Sequence, residues 1–283
     1  MKPPPFRYER AETAAGAVEF LAEHGDEAKA LAGGQSLIAL MNMRIARPEV
    51  LLDIGPLDEL RFIEKRNGAI EVGAMTAQVE LEENGDVAAA CPLLAEAIPH
   101  VGHSAIRNRG TVGGSIAHAD PAAELPVVLV ALGGSVTLSS KGGDRSVGAE
   151  EFFKGFLATV TEPDELLRSV SFPSAEGNTG FAFEEFSRRL GDFALSSVAC
   201  AVEHDGGTIT GARIALGGVA GTPVLVDGTA DLAGLSGEEA GAKAADLADA
   251  SIQPTSDIHG SAEYRRHLTR ELVKRALNRA LGG

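Results

Sequence analysis

Cysteine is almost missing from this chain. Cys91 and Cys200 are the only two in 283 residues, they lie far apart, and neither belongs to a CxxC pair. Iron–sulfur clusters and structural zinc held by thiolates need clustered cysteines, so neither is expected here. A disulfide framework is not expected either. Long apolar runs are missing too. No stretch approaches twenty uninterrupted apolar residues, and the opening residues 1–6 lack the apolar centre of a signal peptide. The expectation is a soluble, cytoplasmic protein with no integral membrane segment. Basic charge is scarce: 25 Lys and Arg stand against 40 Asp and Glu, a formal net charge of −15. That argues against nucleic acid as the main partner, because phosphate backbones are bound by basic surfaces. Two nucleotide-binding signatures are absent. There is no GxGxxG and no regular strand–helix alternation, which disfavours a Rossmann domain. There is no GxxxxGK[ST], which disfavours a P-loop hydrolase.

What is present is glycine, 34 residues of it, on a background that is 44% apolar. That apolar fraction is ordinary for globular proteins, and the length allows two domains. Two glycine-bearing loops stand out: Gly33-Gly34-Gln35-Ser36, and Thr111-Val112-Gly113-Gly114-Ser115. Each is expected to end a strand and enter a helical segment. A glycine pair lets backbone N–H groups turn toward a bound group at close range. Successive N–H groups beside small hydroxyls make an anion-binding concavity. Two such loops about eighty residues apart suit one large ligand with several polar regions, such as a dinucleotide. Two ordinary tight turns are the other reading.

Residues 13–24 read as a helix, with Thr13 as N-cap and Ala14, Ala17, Val18 and Leu21 on one face. The stretch 37–45 has helical or buried spacing, with Met41 and Met43 as core filling. Residues 50–54 read as a strand. Asn67-Gly68 predicts a hairpin between 62–64 and 70–72. Residues 76–98 look helical, interrupted at Asn84-Gly85 and at Pro92. A helix from Leu125 leads to strands around 136–138 and after 144. Phe152, Phe153 and Phe156 read as core, and a strand over 166–172 ends at Pro173. Residues 174–180 have linker composition, which divides the chain into 1–173 and 181–283. Beyond it, strands near 198–203 and 208–216 join through Asp205-Gly206-Gly207, and two helices cover them over 236–250 and 261–281. The last helix carries Tyr264, Leu268, Leu272 and Ala276 as its core stripe. Its other face is basic (Arg265, Arg266, Arg270, Lys274, Arg275, Arg279), either solvated or open to an acidic partner.

The stretch 99–126 is the densest. His100, His103 and His118 with Asp120 could be metal ligands, but the spacing matches no helical HExxH pattern and Gly and Pro interrupt it. A surface loop cluster explains them as well, and no metal site is assigned. Arg107 and Arg109 beside Gly110 suit hydrogen bonds or charge pairing to loop or ligand.

Three ordered stretches, 32–37, 106–124 and 188–194, together resemble the medium, FAD-binding subunit of the molybdenum hydroxylases, the carbon monoxide dehydrogenase and xanthine dehydrogenase group. The resemblance runs over nearly the whole chain and includes Met43-Arg44. It implies an α+β fold: a vanillyl-alcohol-oxidase-like (PCMH-type) FAD domain of two subdomains, then a three-stranded antiparallel sheet with a helical bundle. It implies that Leu31, Ala32, Gly33, Gly34, Gln35, Ser36, Leu37 and Ile38 hold the FAD pyrophosphate. Thr111, Gly113, Gly114 and Ser115 would add a second pyrophosphate and ribityl contact. Glu124 would face the polyols and Leu167 would pack on the cofactor. Val101, His118 and Asp120 fall in the same cofactor set, and Arg188 and Asp192 would lie near the ring edge. Phe193 could neighbour the ring or fill core. Some relatives carry Lys just after the Phe that matches Phe183; here Glu184 stands there, so that contact does not carry over.

The resemblance further implies an oxidoreductase subunit without catalytic side chains of its own. Its partners would be a large molybdopterin subunit and a small [2Fe-2S] subunit, as a dimer of heterotrimers. FAD would take electrons from the clusters and pass them to an external acceptor. The rival expectations are a self-contained FAD oxidoreductase and a flavin-free assembly subunit.

Overall fold

The structure, a computed structural model, describes residues 2–282. The chain begins with a small parallel sheet. Arg7–Arg10 (β1), Ala28–Leu31 (β2) and Val50–Asp53 (β3) pair in the order β1-β3-β2. Helix α1 (Ala14–His24) connects β1 to β2, with Ala14, Ala17, Val18 and Leu21 buried as their spacing predicts. Thr13 caps it: its side chain accepts the Gly16 N–H at 3.0 Å. Helix α2 (Leu37–Asn42) follows the first glycine loop.

The hairpin of β4 (Ile63–Arg66) and β5 (Ala69–Gly73) turns at Asn67 and Gly68, whose φ values are 49° and 76°. Both central positions of a type I′ turn require φ > 0, which Asn and Gly tolerate. The helical stretch after it splits where expected, into α3 (Gln78–Glu82), α4 (Gly85–Ala90) and α5 (Pro92–Ala97). Asn84 caps α4 through its side-chain oxygen, and Pro92 opens α5, where its missing N–H costs nothing. Short helices α6 (Ser104–Arg107), α7 (Val112–His118) and α8 (Glu124–Ala131) follow, then β6 (Ser135–Ser140), β7 (Gly143–Gly148), α9 (Ala149–Phe152), β8 (Phe153–Gly155) and β9 (Ala158–Thr159). Strand β10 (Leu166–Pro173) inserts between β5 and β6, completing a five-stranded antiparallel sheet in the order β4-β5-β10-β6-β7.

The C-terminal sheet is antiparallel, built from β11 (Thr179–Phe186), β12 (Ser196–Asp205), β13 (Thr208–Gly217) and β14 (Val224–Leu225). Helices α10 (Gly237–Ser251) and α11 (Ala262–Ala280) cover one face. Helix α8 lies against the other. Every residue of α8 is buried, so it reads as apolar all round rather than amphipathic. Phe183, Ala199 and Ala215 of the C-terminal sheet share one buried cluster with Leu125, Val127 and Val128. The core around α8 is therefore closed by the C-terminal sheet.

Several sequence expectations need correction. The C-terminal sheet has four strands, not three, because Val224–Leu225 pairs with Ala215 and Leu216. The stretch 174–180 is not free chain. The N–H groups of Ser174 and Ala175 donate to Gly68 and Ala90, and Thr179 already pairs with Glu203. Phe152 and Phe153 are core, but Phe156 is 69% exposed, and Met43 lies exposed beside a buried Met41. Tyr264 is exposed as well. The buried stripe of α11 runs instead through Arg265, Thr269, Leu272, Val273, Ala276 and Leu277. Its basic face is neither simply solvated nor free for a partner. Arg265 pairs with Asp257, Arg266 with Asp249, Arg270 with Asp246, Lys274 with Glu271, and Arg279 with Glu96 and Glu184. Among the described residues, no helix is long and apolar enough to cross a membrane.

Both cysteines are buried and free. Burial pushes the Cys91 thiol up to about 11 and the Cys200 thiol up to about 12. Neither thiol is therefore expected to react with a thiol reagent at pH 8 in the folded chain. Both should titrate in denaturant; fast labelling of either in the native protein would contradict this burial.

Candidate functional site

The two glycine loops meet. A Cβ on Gly33 would lie 2.0 Å from the Arg109 carbonyl oxygen and 3.0 Å from Gly110 Cα, so only glycine lets the loops touch. A Cβ on Gly114 would approach Ala32 Cβ at 3.8 Å. In the first loop, the N–H groups of Gly33, Gly34, Gln35 and Ser36 have no hydrogen-bond partner among the described residues. Gly34 takes φ 74°, a conformation that glycine adopts freely, and α2 begins shortly after it. Such a run at a helix start is a ready anion site. Leu31, Ala32 and Leu37 are half-buried around it, and Ile38 is exposed.

The second loop behaves differently from its sequence reading. It follows α6 rather than a strand, and its N–H groups are already used. Val112 donates to Thr76 O and Gly113 to Ala74 O, Gly114 to Thr111 Oγ1 and Ser115 to Thr111 O. Gly113 is needed for packing: its Cβ would sit 2.5 Å from Ala74 Cβ. The loop contributes the half-buried Ser115 and a rigid wall rather than a second set of free donors. Leu167 is buried on β10 in the same core, paired with Leu138. The Arg168 carbonyl accepts the Ala74 N–H, which ties β10 to this wall.

Arg107 is buried and fixes the approach to that loop. Its Nε and Nη2 donate to the two carboxylate oxygens of Glu82 at 2.7 and 3.0 Å, and Nη1 donates to Val101 O at 3.1 Å. Of the two arginines beside Gly110, Arg107 is thus the structural one, while Arg109 is exposed. Val101 is buried. His118 ends α7 and Asp120 lies two residues beyond it, both half-buried. Burial lowers the His118 pKa, against the pull of Asp120. Asp120 Oδ1 accepts the Ala122 N–H at 2.9 Å and so shapes the entry to α8. Glu124 opens α8 with only 7% of its surface exposed. Burial pushes its carboxyl up to about 7. Among the described residues, no group of three or more His, Cys, Asp or Glu is placed to hold a metal ion.

The third stretch, 188–194, forms a loop that leans on the turn just before α6. A Cβ on Gly191 would lie 2.5 Å from the His103 ring and 3.0 Å from Gly102 C. Arg188 and Asp192 are exposed on this loop, and so is Phe193, which rules out the core-packing alternative for that ring. Glu184 points away from it, toward α11: Arg279 Nη1 donates to Glu184 Oε1 at 2.6 Å and to Phe183 O at 3.1 Å, while Nη2 pairs with Glu96. The residue that shares the Phe183 face is Glu185, which the sequence reading missed. Burial pushes its carboxyl up to about 8, with Glu124 adding to the rise. The alternation Phe181, Phe183, Glu185 was its signal, an acid in step with an apolar face.

The unpaired donors of the first loop are of the kind that hold a phosphate. Comparisons with known proteins agree. Residues 4–175 match the family described as FAD binding domain in molybdopterin dehydrogenase, and residues 181–280 match the CO dehydrogenase flavoprotein C-terminal domain. The chain is 40% identical to the 6-hydroxypseudooxynicotine dehydrogenase complex subunit alpha of Paenarthrobacter nicotinovorans, over 99% of this chain and 96% of that one. It is 38% identical to the carbon monoxide dehydrogenase medium chain of Hydrogenophaga pseudoflava, over 99% and 98%. Among solved structures, the carbon monoxide dehydrogenase from H. pseudoflava superimposes with a TM-score of 0.96 at 38% identity, covering 100% of this chain and 99% of that one. Quinoline 2-oxidoreductase from Pseudomonas putida 86 gives 0.95 at 37% identity, with the same coverage. The chain therefore belongs to the medium, FAD-binding subunits of the molybdenum hydroxylases, the flavoprotein component of these oxidoreductases.

Proposed function

We propose that this chain transfers electrons within a molybdenum hydroxylase, taking them from [2Fe-2S] clusters of a small subunit and delivering them to an external acceptor. Substrate is hydroxylated in a large molybdopterin subunit, and the assembly is a cytoplasmic dimer of heterotrimers. Bound FAD supplies the redox chemistry, and the protein supplies binding, orientation and electrostatics. The observation that carries this reading is the run of unpaired N–H groups at Gly33–Ser36, held against residues 109–110.

In this reading residues 31–38 bind the pyrophosphate. Thr111, Gly113, Gly114 and Ser115 wall its other side, and Val101 and Leu167 supply apolar backing. His118, Asp120 and Glu124 serve the polyols, and Arg188 and Asp192 lie at the rim of the ring site. The parallel and five-stranded sheets are then the two subdomains of a PCMH-type FAD domain spanning 1–173. The segment 174–180 is the connection to a C-terminal domain over 181–283.

Two measurements test it. The purified, folded chain is expected to show flavin absorbance with about one FAD per chain, and a colourless folded chain would sink the cofactor assignment. Affinity purification from the native host is expected to recover a large and a small subunit with it. Turnover of an organic donor by the lone chain would instead favour a self-contained oxidoreductase.

A further inference from the structure

One part of this acidic chain is nearly free of acids. Residues 33–48, 102–110 and 187–194 hold Arg44, Arg47, Arg107, Arg109, Arg188 and Arg189 but a single acid, Asp192, in a chain with 40 Asp and Glu. These stretches are joined in space. Gly33 packs on Arg109 and Gly110, and Gly191 packs on Gly102 and His103, so the two flanking stretches hang on opposite ends of 102–110. Elsewhere arginine is mostly paired with acids of the same chain, as Arg61 is with Glu80 and Arg213 with Glu150. Arg44, Arg47, Arg109, Arg188 and Arg189 are exposed and make no ion pair among the described residues. Away from these stretches, only Arg275 on α11 shares that state.

The same stretches expose large apolar side chains. Ile38, Met43 and Ile45 lie on and just after α2, and Leu190 and Phe193 on the loop 188–194; Ile45 is 66% exposed and Leu190 79%. Arg44 takes φ 62°, and the Ile45 N–H donates to Leu40 O, which closes α2 with Met43, Arg44 and Ile45 all exposed. Single exposed apolar residues are normal, but several on adjoining stretches mark an interaction surface. Arginine, methionine and phenylalanine are the residues that interfaces enrich, and acids are those they deplete.

We infer that this arginine-rimmed apolar surface docks the small [2Fe-2S] subunit through an acidic face of that partner. The inference rests on the electron-transfer reading above. That reading gives the pyrophosphate to the loop that precedes α2 and the ring rim to 188–192, so a partner seated here lies alongside the cofactor. Electron transfer weakens steeply with distance, so the donor must pack against that side. A [2Fe-2S] cluster with its four thiolates is a net anion, and the basic rim faces it with the opposite sign. With a net charge of −15, the rest of the chain disfavours an acidic partner, so the rim also orients the encounter.

The test places a photo-reactive benzoyl-phenylalanine at Met43 of the full chain in its native host. Irradiation is expected to join it to the small subunit. A cross-link to the large subunit or to a second copy overturns the assignment, and so does none at all from the assembled complex. A second arm measures the dissociation constant of the chain for the partner subunits at about 50 mM and about 300 mM salt. The Arg44 side chain makes no hydrogen bond or ion pair among the described residues, so Arg44→Glu leaves the fold intact, which thermal melting checks. It is expected to weaken binding about tenfold at low salt and about threefold at high salt, where screening shortens the reach of the charge. Ile45→Ser is expected to weaken it about fivefold at both, because lost apolar contact is not screened. Arg275→Glu, the same charge change away from the rim, changes it by less than about twofold. Equal losses in Arg275→Glu and Arg44→Glu overturn the proposal. If the partner binds every variant alike, the rim falls and the electron-transfer reading stands. If the natural chain recovers no partner, both fall.

Discussion

Gly33→Ala is expected to strip FAD from the purified protein, lowering its affinity by roughly 100-fold or more. The added Cβ would stand 2.0 Å from the Arg109 carbonyl oxygen, less than any real contact allows. Arg109 O belongs to the rigid turn between α6 and α7. Its neighbour Gly110 is tied down at both ends, its N–H to Ile106 O and its carbonyl to the Gln78 N–H. The first loop must therefore move, and with it the N–H groups of Gly34, Gln35 and Ser36. Hydrogen bonds from neutral donors to a charged acceptor contribute about 1.5–3 kcal/mol each. Losing two costs about 3–6 kcal/mol, which is roughly 100-fold or more in affinity. Flavin absorbance per chain and a fluorescence titration with FAD measure it directly. Gly114→Ala provides the graded comparison. Its Cβ would meet the Thr111 hydroxyl at 2.7 Å, a side chain that can rotate away at the expense of the α7 cap. That loss is about 1 kcal/mol, so this variant keeps most of its flavin. Equal flavin content in Gly33→Ala and the natural chain would remove the loop contact from the site.

Local chemistry made much of this architecture readable in the sequence. The Asn67-Gly68 turn, the Thr13 cap, the break at Pro92 and the glycine pair at 33–34 each depend on a few adjacent residues. What the sequence left dark is non-local. Nothing near Leu166–Pro173 says that this strand slots between β5 and β6. The basic residues of α11 looked unpartnered because Asp246 and Asp249 sit on α10, and Glu96 and Glu184 lie far away in the chain. The second glycine loop looked like a donor cradle. Its donors are consumed by Thr76, Ala74 and its own cap, and only the fold brings Ala74 there. Glu185 was visible as an acid in step with Phe181 and Phe183. Which face of β11 turns toward α8 depends on the register with β12, and the sequence does not state it.

Arg107→Leu is the second large effect, this time on stability. Arg107 gives Glu82 a two-pronged ion pair at 2.7 and 3.0 Å and caps the Val101 carbonyl at 3.1 Å. Leucine keeps apolar bulk but leaves the Glu82 carboxylate and that carbonyl without their donor. Arg107 is buried but Glu82 is exposed, so water takes over part of the freed charge, and the loss is about 1–3 kcal/mol, much of it from the backbone carbonyl left without its donor. For a chain of this size the midpoint of thermal unfolding drops by roughly 5 °C. The double variant Arg107→Leu with Glu82→Leu removes the stranded charge and is expected to recover about half of the loss. That recovery separates an ion-pair effect from simple damage to packing. Flavin should weaken along with stability, because Arg107 holds the turn from 99 to 103 on which Gly191 rests and from which the chain runs on to Arg109 O. A drop below about 1 kcal/mol in Arg107→Leu, or no recovery in the double variant, would show that the site does not depend on this pair. The buried arginine would then be only a passenger beneath the loop.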